Sequence, residues 1–233
     1  MDKVKRWNYL PIVFIIVLSF LAWVFNLYHY LSLDALKFHQ KALTFFVNQN
    51  PILALLSYCI IYISLVSLSI PAATVMTLAG GILFGQWIGT VSVVICATVG
   101  ATILFMSAKM ASSDWITKKA GSWATKMKAG FQANAFFYLL MLRLIPVFPF
   151  FAINIGAAFF QIPVRTFFFG TLLGIIPGSF VYVSIGVAVR ELIQKPNFTL
   201  HAILEPKILF AFIGLGILSL LPIIYKHFKK NNI

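Results

Sequence analysis

Several apolar stretches of about 20 residues follow one another along the chain, and two of them are interrupted internally by proline and glycine. A helix of that length crosses a bilayer core of roughly 30 Å, so the unbroken stretches read as membrane spans. A broken one is a stricter constraint. Proline removes a backbone donor and clashes with the preceding turn, while glycine relaxes the backbone. The groups freed at such a break must be satisfied by neighbouring helices or line a polar cavity.

Composition agrees with a chain made for lipid. Of 233 residues, 61% are hydrophobic and 10% charged, with a mean hydropathy of +0.96, outside the range of a soluble domain. One membrane domain, residues 1–233, is the expected organisation. The net charge of +13 comes from 18 Lys and Arg against 5 acids. These cations are dispersed among the flanks of apolar segments, where they set orientation and contact anionic lipid. Membrane lipids are therefore the expected partners and nucleic acid is not; a homo-oligomer is left open. Cys59 and Cys96 lie inside apolar runs, and His29, His39, His201 and His227 lack ligand spacing. No disulfide framework, metal site or cofactor is expected.

The order of segments is informative. Lys3, Lys5 and Arg6 precede an apolar run without a small-residue cleavage pattern after it, so the first crossing, Leu10 to Tyr30, is read as uncleaved. Ser32 to Val47 reads as an interfacial amphipathic helix. The first broken stretch, Pro51 to Gly85, is interrupted at Pro71 and at Gly80 and Gly81, with Gly85 at its end, and a spanning candidate follows from Trp87 to Met110. Then the order repeats: an interfacial helix from Ser113 to Phe131, a stretch from Phe136 to Ile162 broken at Pro146, Pro149 and Gly156, and a spanning candidate from Thr166 to Val189. At a shift of 75 residues Pro71 matches Pro146, Gly81 matches Gly156 and Phe84 matches Phe159. The two repeats cover about 32–110 and 113–189. A polar stretch from Arg190 to Lys207 leads to a last crossing, Ile208 to Tyr225.

Charge distinguishes the possible topologies. If both broken stretches dip into the bilayer and return, with a cytoplasmic N-terminus, eleven cations fall on the cytoplasmic side: Lys3, Lys5, Arg6, the five lysines from Lys109 to Lys128, and Lys226, Lys229 and Lys230. Five fall opposite: Lys37, Lys41, Arg190, Lys195 and Lys207. If the first broken stretch spans instead, the ratio becomes six to ten. The positive-inside bias favours the two-hairpin arrangement. It gives an all-α polytopic protein of four transmembrane helices, two inverted re-entrant hairpins and two interfacial helices, with both termini cytoplasmic.

Paired re-entrant segments mark substrate paths, and half-helix amino ends offer partial positive charge to a phosphate. Beside the second break stand Arg143, Asn154, Gln161 and Arg165. Arg143 and Asn154, with Pro146, Pro149 and Gly156, form the candidate substrate site. A guanidinium can hold a lipid phosphate through paired hydrogen bonds, and the competing reading for both arginines is snorkelling to the headgroups. Gly170, Gly174 and Gly178 form a small face for close helix packing, with Pro177 as a kink; Gly85 and Gly89 form a shorter one.

The run Leu142 to Phe150, with Asn154, Gly156, Gly170, Thr171, Gly174, Pro177 and Gly178, resembles the VTT-domain superfamily of bacterial DedA proteins and SNARE-associated Golgi proteins. The resemblance covers about residues 57–189. It implies inverted re-entrant hairpins and lipid movement between leaflets, scrambling in eukaryotic members and transport of phospholipid or undecaprenyl phosphate in bacterial ones. The best-known bacterial members carry acids in the first hairpin. Here Asp2, Asp34, Asp114, Glu191 and Glu205 fall in predicted loops, which brings the chain closer to the Golgi-protein-like branch that bacteria also possess. A bacterial plasma membrane is the expected location. A lipid flippase or scramblase is thus the first functional expectation, a small-solute or ion carrier the second and a non-transporting membrane organiser the third. No enzyme is expected, since no Ser/His/Asp, HExxH or paired intramembrane aspartate pattern is visible.

Overall fold

The computed structural model describes residues 10–24, 33–70, 72–119, 134–144 and 148–194. Pro71, Pro146, most of the second interfacial segment and the last crossing, Ile208 to Tyr225, lie outside these residues. Every regular element among the described residues is a helix: α1 (Leu10–Val24), α2 (Leu33–Gln49), α3 (Pro51–Ser67), α4 (Ala73–Lys119), α5 (Ala135–Leu144), α6 (Phe150–Phe159) and α7 (Val164–Gln194). Two carry apolar stretches long enough by length and composition to cross a bilayer, Val164–Glu191 and Ala73–Ala111, the latter bent back at Gly85.

The first reversal follows α3. Ile70 donates its backbone N–H to Leu65 O and Ser69 donates to Val66 O, with Ser69 at φ 57°. This is a Schellman closure, in which a left-handed residue lets the last carbonyls of the helix find donors. The second reversal is at Gly85, where φ is 77° and ψ −174°. Only glycine occupies that region without a Cβ penalty. Beyond it the chain folds back: a Cβ built on Gly89 would lie 2.7 Å from Gly80 O, whereas nine residues of continuous helix would separate them by roughly 13 Å. Gly80 and Gly81, expected as breaks, are instead helical, and their missing side chains admit Tyr58 and Val183.

Helix α3, the segment 73–84 and the segment 86–119 therefore run forward, back and forward. The turn between α3 and α4 lies beside the middle of the last segment, where Ser67 Oγ donates to Gly100 O over 3.3 Å. The second repeat is built alike. Leu139 abuts Gly170 and Arg143 abuts Gly174, so α5 runs parallel to α7. Helix α6 returns and ends in another Schellman closure, with Ile162 donating to Ala157 O, Gln161 donating to Ala158 O and Gln161 at φ 55°. Gly156, expected as a break, lies within α6.

The long helices α4 and α7 pack in opposite directions. Phe105 stacks on Phe167 with ring centroids 4.1 Å apart, while Gln86 Nε2 donates to Phe180 O at the other end. Each hairpin base is clasped by the long helix of the other repeat: Gly81 and Gly186 bring α4 and α7 into backbone contact at one end, and Lys109 Nζ donates to Ile162 O at the other. One such contact therefore lies at each end of the α4–α7 pair.

Its surface is apolar. Ile52, Leu53, Leu56 and Ile60 on α3 and Trp87, Ile88 and Val91 on α4 are all exposed, an apolar surface of the kind that soluble monomers rarely present. Hydroxyls are satisfied without water: Ser67, Thr77, Thr90, Ser92, Thr98 and Ser107 each donate to the carbonyl four residues earlier, the usual solution in a helix surrounded by lipid. Three expectations are revised. Asp34, Asp114 and Glu191 stand within helices rather than loops, α4 continues to Lys119 through the start of the expected interfacial helix, and α7 extends through Arg190.

Candidate functional site

Hairpin 2, formed by α5 and α6, brings together the polar residues singled out from sequence. Arg143 occupies the last turn of α5, where a cation is favoured by the carboxyl end of the helix dipole. Its Nη2 donates to Asn154 Oδ1 over 2.5 Å and to Thr171 Oγ1 over 3.2 Å, and its Nη1 donates to Phe150 O over 3.3 Å. The guanidinium carbon sits 4.2 Å from the centroid of the Phe150 ring and 5.6 Å from that of Phe167. Three helices thus position one cation. Gly174 makes room for it, because a Cβ there would lie 2.6 Å from Arg143 Cβ.

All of these partners are neutral. Among the described residues Arg143 forms no ion pair, and Asn154 and Thr171 are fully buried. Guanidinium is a donor only, so it fixes the Asn154 amide with its oxygen inward. Two donors are then left over: Arg143 Nε and Asn154 Nδ2 are buried with no hydrogen-bond partner. A buried donor without an acceptor costs about 1–3 kcal/mol, more when charged. Such a site is preorganised for an anion that brings acceptor oxygens, and the amino end of α6, capped by Pro149 without a side-chain bond, adds partial positive charge beside it.

The other candidates distribute as follows. Pro149 precedes α6 and Gly156 lies on that helix, where a Cβ would meet nothing within 4 Å. Gly170 and Gly174 are close-packing positions, whereas Gly178, expected to share that role, has no neighbour within 4 Å of a Cβ. Arg165 is exposed, as snorkelling requires, and Gln161 Nε2 donates to Lys109 O. Thr171, quoted above only as part of the family pattern, joins the site because α5 lies beside α7 and brings Arg143 within reach of its hydroxyl.

The same shift of 75 residues places Leu68, Ala79 and Cys96 where hairpin 2 has Arg143, Asn154 and Thr171. Hairpin 1, formed by α3 and the segment 73–84, is closed by different groups. Tyr58 donates to Met76 O over 2.8 Å, Tyr62 hydrogen-bonds Thr77 over 2.9 Å, and Ser19 of α1 donates to Leu68 O over 2.5 Å. Its polar atoms are consumed internally. Among the described residues, the buried side-chain donors without a partner are both in hairpin 2.

A family model, the VTT domain, matches residues 70–188 and so takes in α4 with the second arm of hairpin 1, all of hairpin 2 and most of α7. The chain belongs to the VTT-domain family. The VTT chain is 28% identical over 204 residues to the Transmembrane protein 41 homolog of Caenorhabditis elegans, covering 86% of this chain and 81% of that one. It is 28% identical over 202 residues to the Dictyostelium discoideum homolog, covering 84% and 58%. With human Transmembrane protein 41B it shares 26% over 199 residues, covering 84% and 66%. The alignment thus spans about three fifths to four fifths of these relatives' lengths. These named relatives are membrane proteins of eukaryotes. No solved structure matches the chain.

Proposed function

We propose that this VTT protein moves a phosphate-bearing lipid, a phospholipid or a polyprenyl phosphate, between bilayer leaflets along a path between its two hairpins. The observation that carries this reading is Arg143: a cation held among neutral groups, with its Nε and the neighbouring Asn154 Nδ2 left as buried donors. A guanidinium in a low-dielectric site without a counter-ion is costly, and a lipid phosphate passing through supplies the missing charge.

The topology follows the charge count. Both hairpins enter the bilayer from opposite faces and turn back within it, four helices cross, and both termini face the cytoplasm. In support, the turn of hairpin 1 lies beside Gly100, with helix continuing to Lys119 beyond it. From residue 86 to that turn is roughly 21 Å along the helix axis, short of the roughly 30 Å hydrocarbon core. No carboxylate stands near Arg143 among the described residues, which favours passive equilibration over coupling to a buried proton carrier.

The test is reconstitution. Purified protein in vesicles is assayed with a panel of headgroup-labelled phospholipids and a labelled polyprenyl phosphate, with and without a pH gradient. Accelerated exchange of at least one lipid, independent of the gradient, is expected. Solute uptake without lipid movement would replace the proposal by a solute carrier, and neither activity would leave a membrane organiser.

A further inference from the structure

Hairpin 2 carries a second feature that the headgroup site does not use. Between α5 and α6 runs a groove of about 190 Å³ that opens to the surface, bounded by Leu139, Leu142, Phe148, Ile153, Gly156 and Phe160 among its walls. Every lining side chain is apolar. Water in such a groove would find no partners, since an ordered water needs two to four polar groups. In a bilayer the available filler is hydrocarbon.

The groove shares both helices with the anion site. Leu142 immediately precedes Arg143 on α5, and Ile153 immediately precedes Asn154 on α6. From Phe148 at the turn to Phe160 at the base, the groove follows α6, a helix of roughly 15 Å. Gly156 lies in its wall, and the space that a side chain there would take is free for 4 Å around the Cβ position. A larger groove of about 470 Å³ lies between α3 and α4, lined by Leu55, Cys59, Trp87 and Ile95 among others. That one adjoins no buried unpartnered polar group.

Resting on the lipid-transport reading above, we infer that the groove between α5 and α6 is a subsite for one hydrocarbon chain of the lipid whose phosphate is held at Arg143, and that Gly156 keeps it open. The site then recognises an amphiphile rather than a free anion. Both parts of the ligand are read by the same two helices: oxygen by Arg143 and Asn154, hydrocarbon by the wall containing Gly156.

The test compares wild type, Gly178→Ala and Gly156→Phe in the vesicle assay, with thermal unfolding in detergent as the check on folding. A phenyl group fills the groove, so Gly156→Phe is expected to slow exchange of a diacyl phospholipid roughly tenfold, the scale of a lost apolar subsite, while Gly178→Ala, on α7 outside the groove with open space around its new Cβ, keeps the wild-type rate. Equal rates in all three would overturn the subsite and leave the transport reading standing. An inactive wild type would overturn the transport reading and the subsite with it. Because a bulky variant can fail to fold, wild-type protein is also labelled with a phospholipid bearing a diazirine on its acyl chain. Adducts concentrated on 139–142 and 148–160 support the subsite. Adducts spread equally over the exposed faces of α3 and α4 would contradict it. Soluble glycerophosphocholine in excess is expected not to reduce the labelling; competition by it would likewise contradict the role of the chain.

Discussion

Nη2 of Arg143 donates to Oδ1 of Asn154 over 2.5 Å, tying the last turn of α5 to the middle of α6 across the arms of one hairpin. The bond does two things at once. It joins the two arms, and it turns the Asn154 amide so that its Nδ2 remains a buried donor. Removing Arg143 leaves Asn154 Oδ1 without its donor, and removing Asn154 leaves the guanidinium with Thr171 and Phe150 O alone, at a cost of about 1.5–3 kcal/mol for a hydrogen bond to a charged group.

A double-mutant cycle measures that coupling. Arg143→Gln and Asn154→Leu are each expected to lower thermal stability in detergent, and the double variant to lose less than their sum, with a coupling of about 1.5 kcal/mol. Arg143→Lys is expected not to restore wild-type behaviour, because an ammonium cannot reach Phe150 O, Asn154 and Thr171 together as the planar fork does. Additive losses would mean that the two side chains do not act as a unit.

Glycine substitutions separate packing from open space. A Cβ at Gly81 would lie 2.2 Å from Val183 O and one at Gly186 2.2 Å from Leu78 O, backbone atoms that cannot yield without parting α4 from α7. Gly81→Ala and Gly186→Ala are expected to lower the unfolding temperature markedly. Gly178→Ala, with nothing within 4 Å of the new atom, is expected to be neutral or to stabilise by about 0.4–1 kcal/mol through reduced freedom of the unfolded chain. Gly85→Ala has equal space but a φ of +77° and is expected to cost about 1–2 kcal/mol. The ranking is read directly from melting curves.

The re-entrant arrangement is tested by side-specific labelling. In a background of Cys59→Ala and Cys96→Ala, single cysteines replace Asn50, Trp87, Asn134 and Arg165 in turn. A membrane-impermeant maleimide is expected to reach the first two from one face and the last two from the other. Labelling of Asn50→Cys and Trp87→Cys from opposite faces would show that hairpin 1 spans.

The helical, lipid-embedded character of the chain and the positions of its long helices were legible in sequence because hydropathy and length act locally. The glycines expected to break the two stretches act differently from that expectation. Gly80, Gly81 and Gly156 do not interrupt helices; Gly80 and Gly81 let helices touch, and the reversals fall at Ser69, Gly85 and Gln161, two of which are not glycine. A Schellman closure is set by how a helix end is hydrogen-bonded, which no residue type announces. Arg143 and Asn154 stood out as polar groups in apolar surroundings, whereas Thr171 joined them only through the register of α5 on α7, fixed by Leu139 against Gly170 and Arg143 against Gly174. Nor did the sequence separate Cys59 and Cys96 from the rest of their apolar runs, although both line the groove between α3 and α4.

The most direct test of the central claim is the rate at which headgroup-labelled phospholipid in reconstituted vesicles becomes accessible to an external quencher, compared between wild type and Arg143→Gln at equal protein content and verified folding. Glutamine keeps a polar side chain of moderate length and removes the charge. The account predicts rapid loss of inner-leaflet signal with wild type and a rate at least roughly tenfold lower with Arg143→Gln, the scale of about 1.4 kcal/mol in a barrier. Equal rates for the two proteins would contradict it.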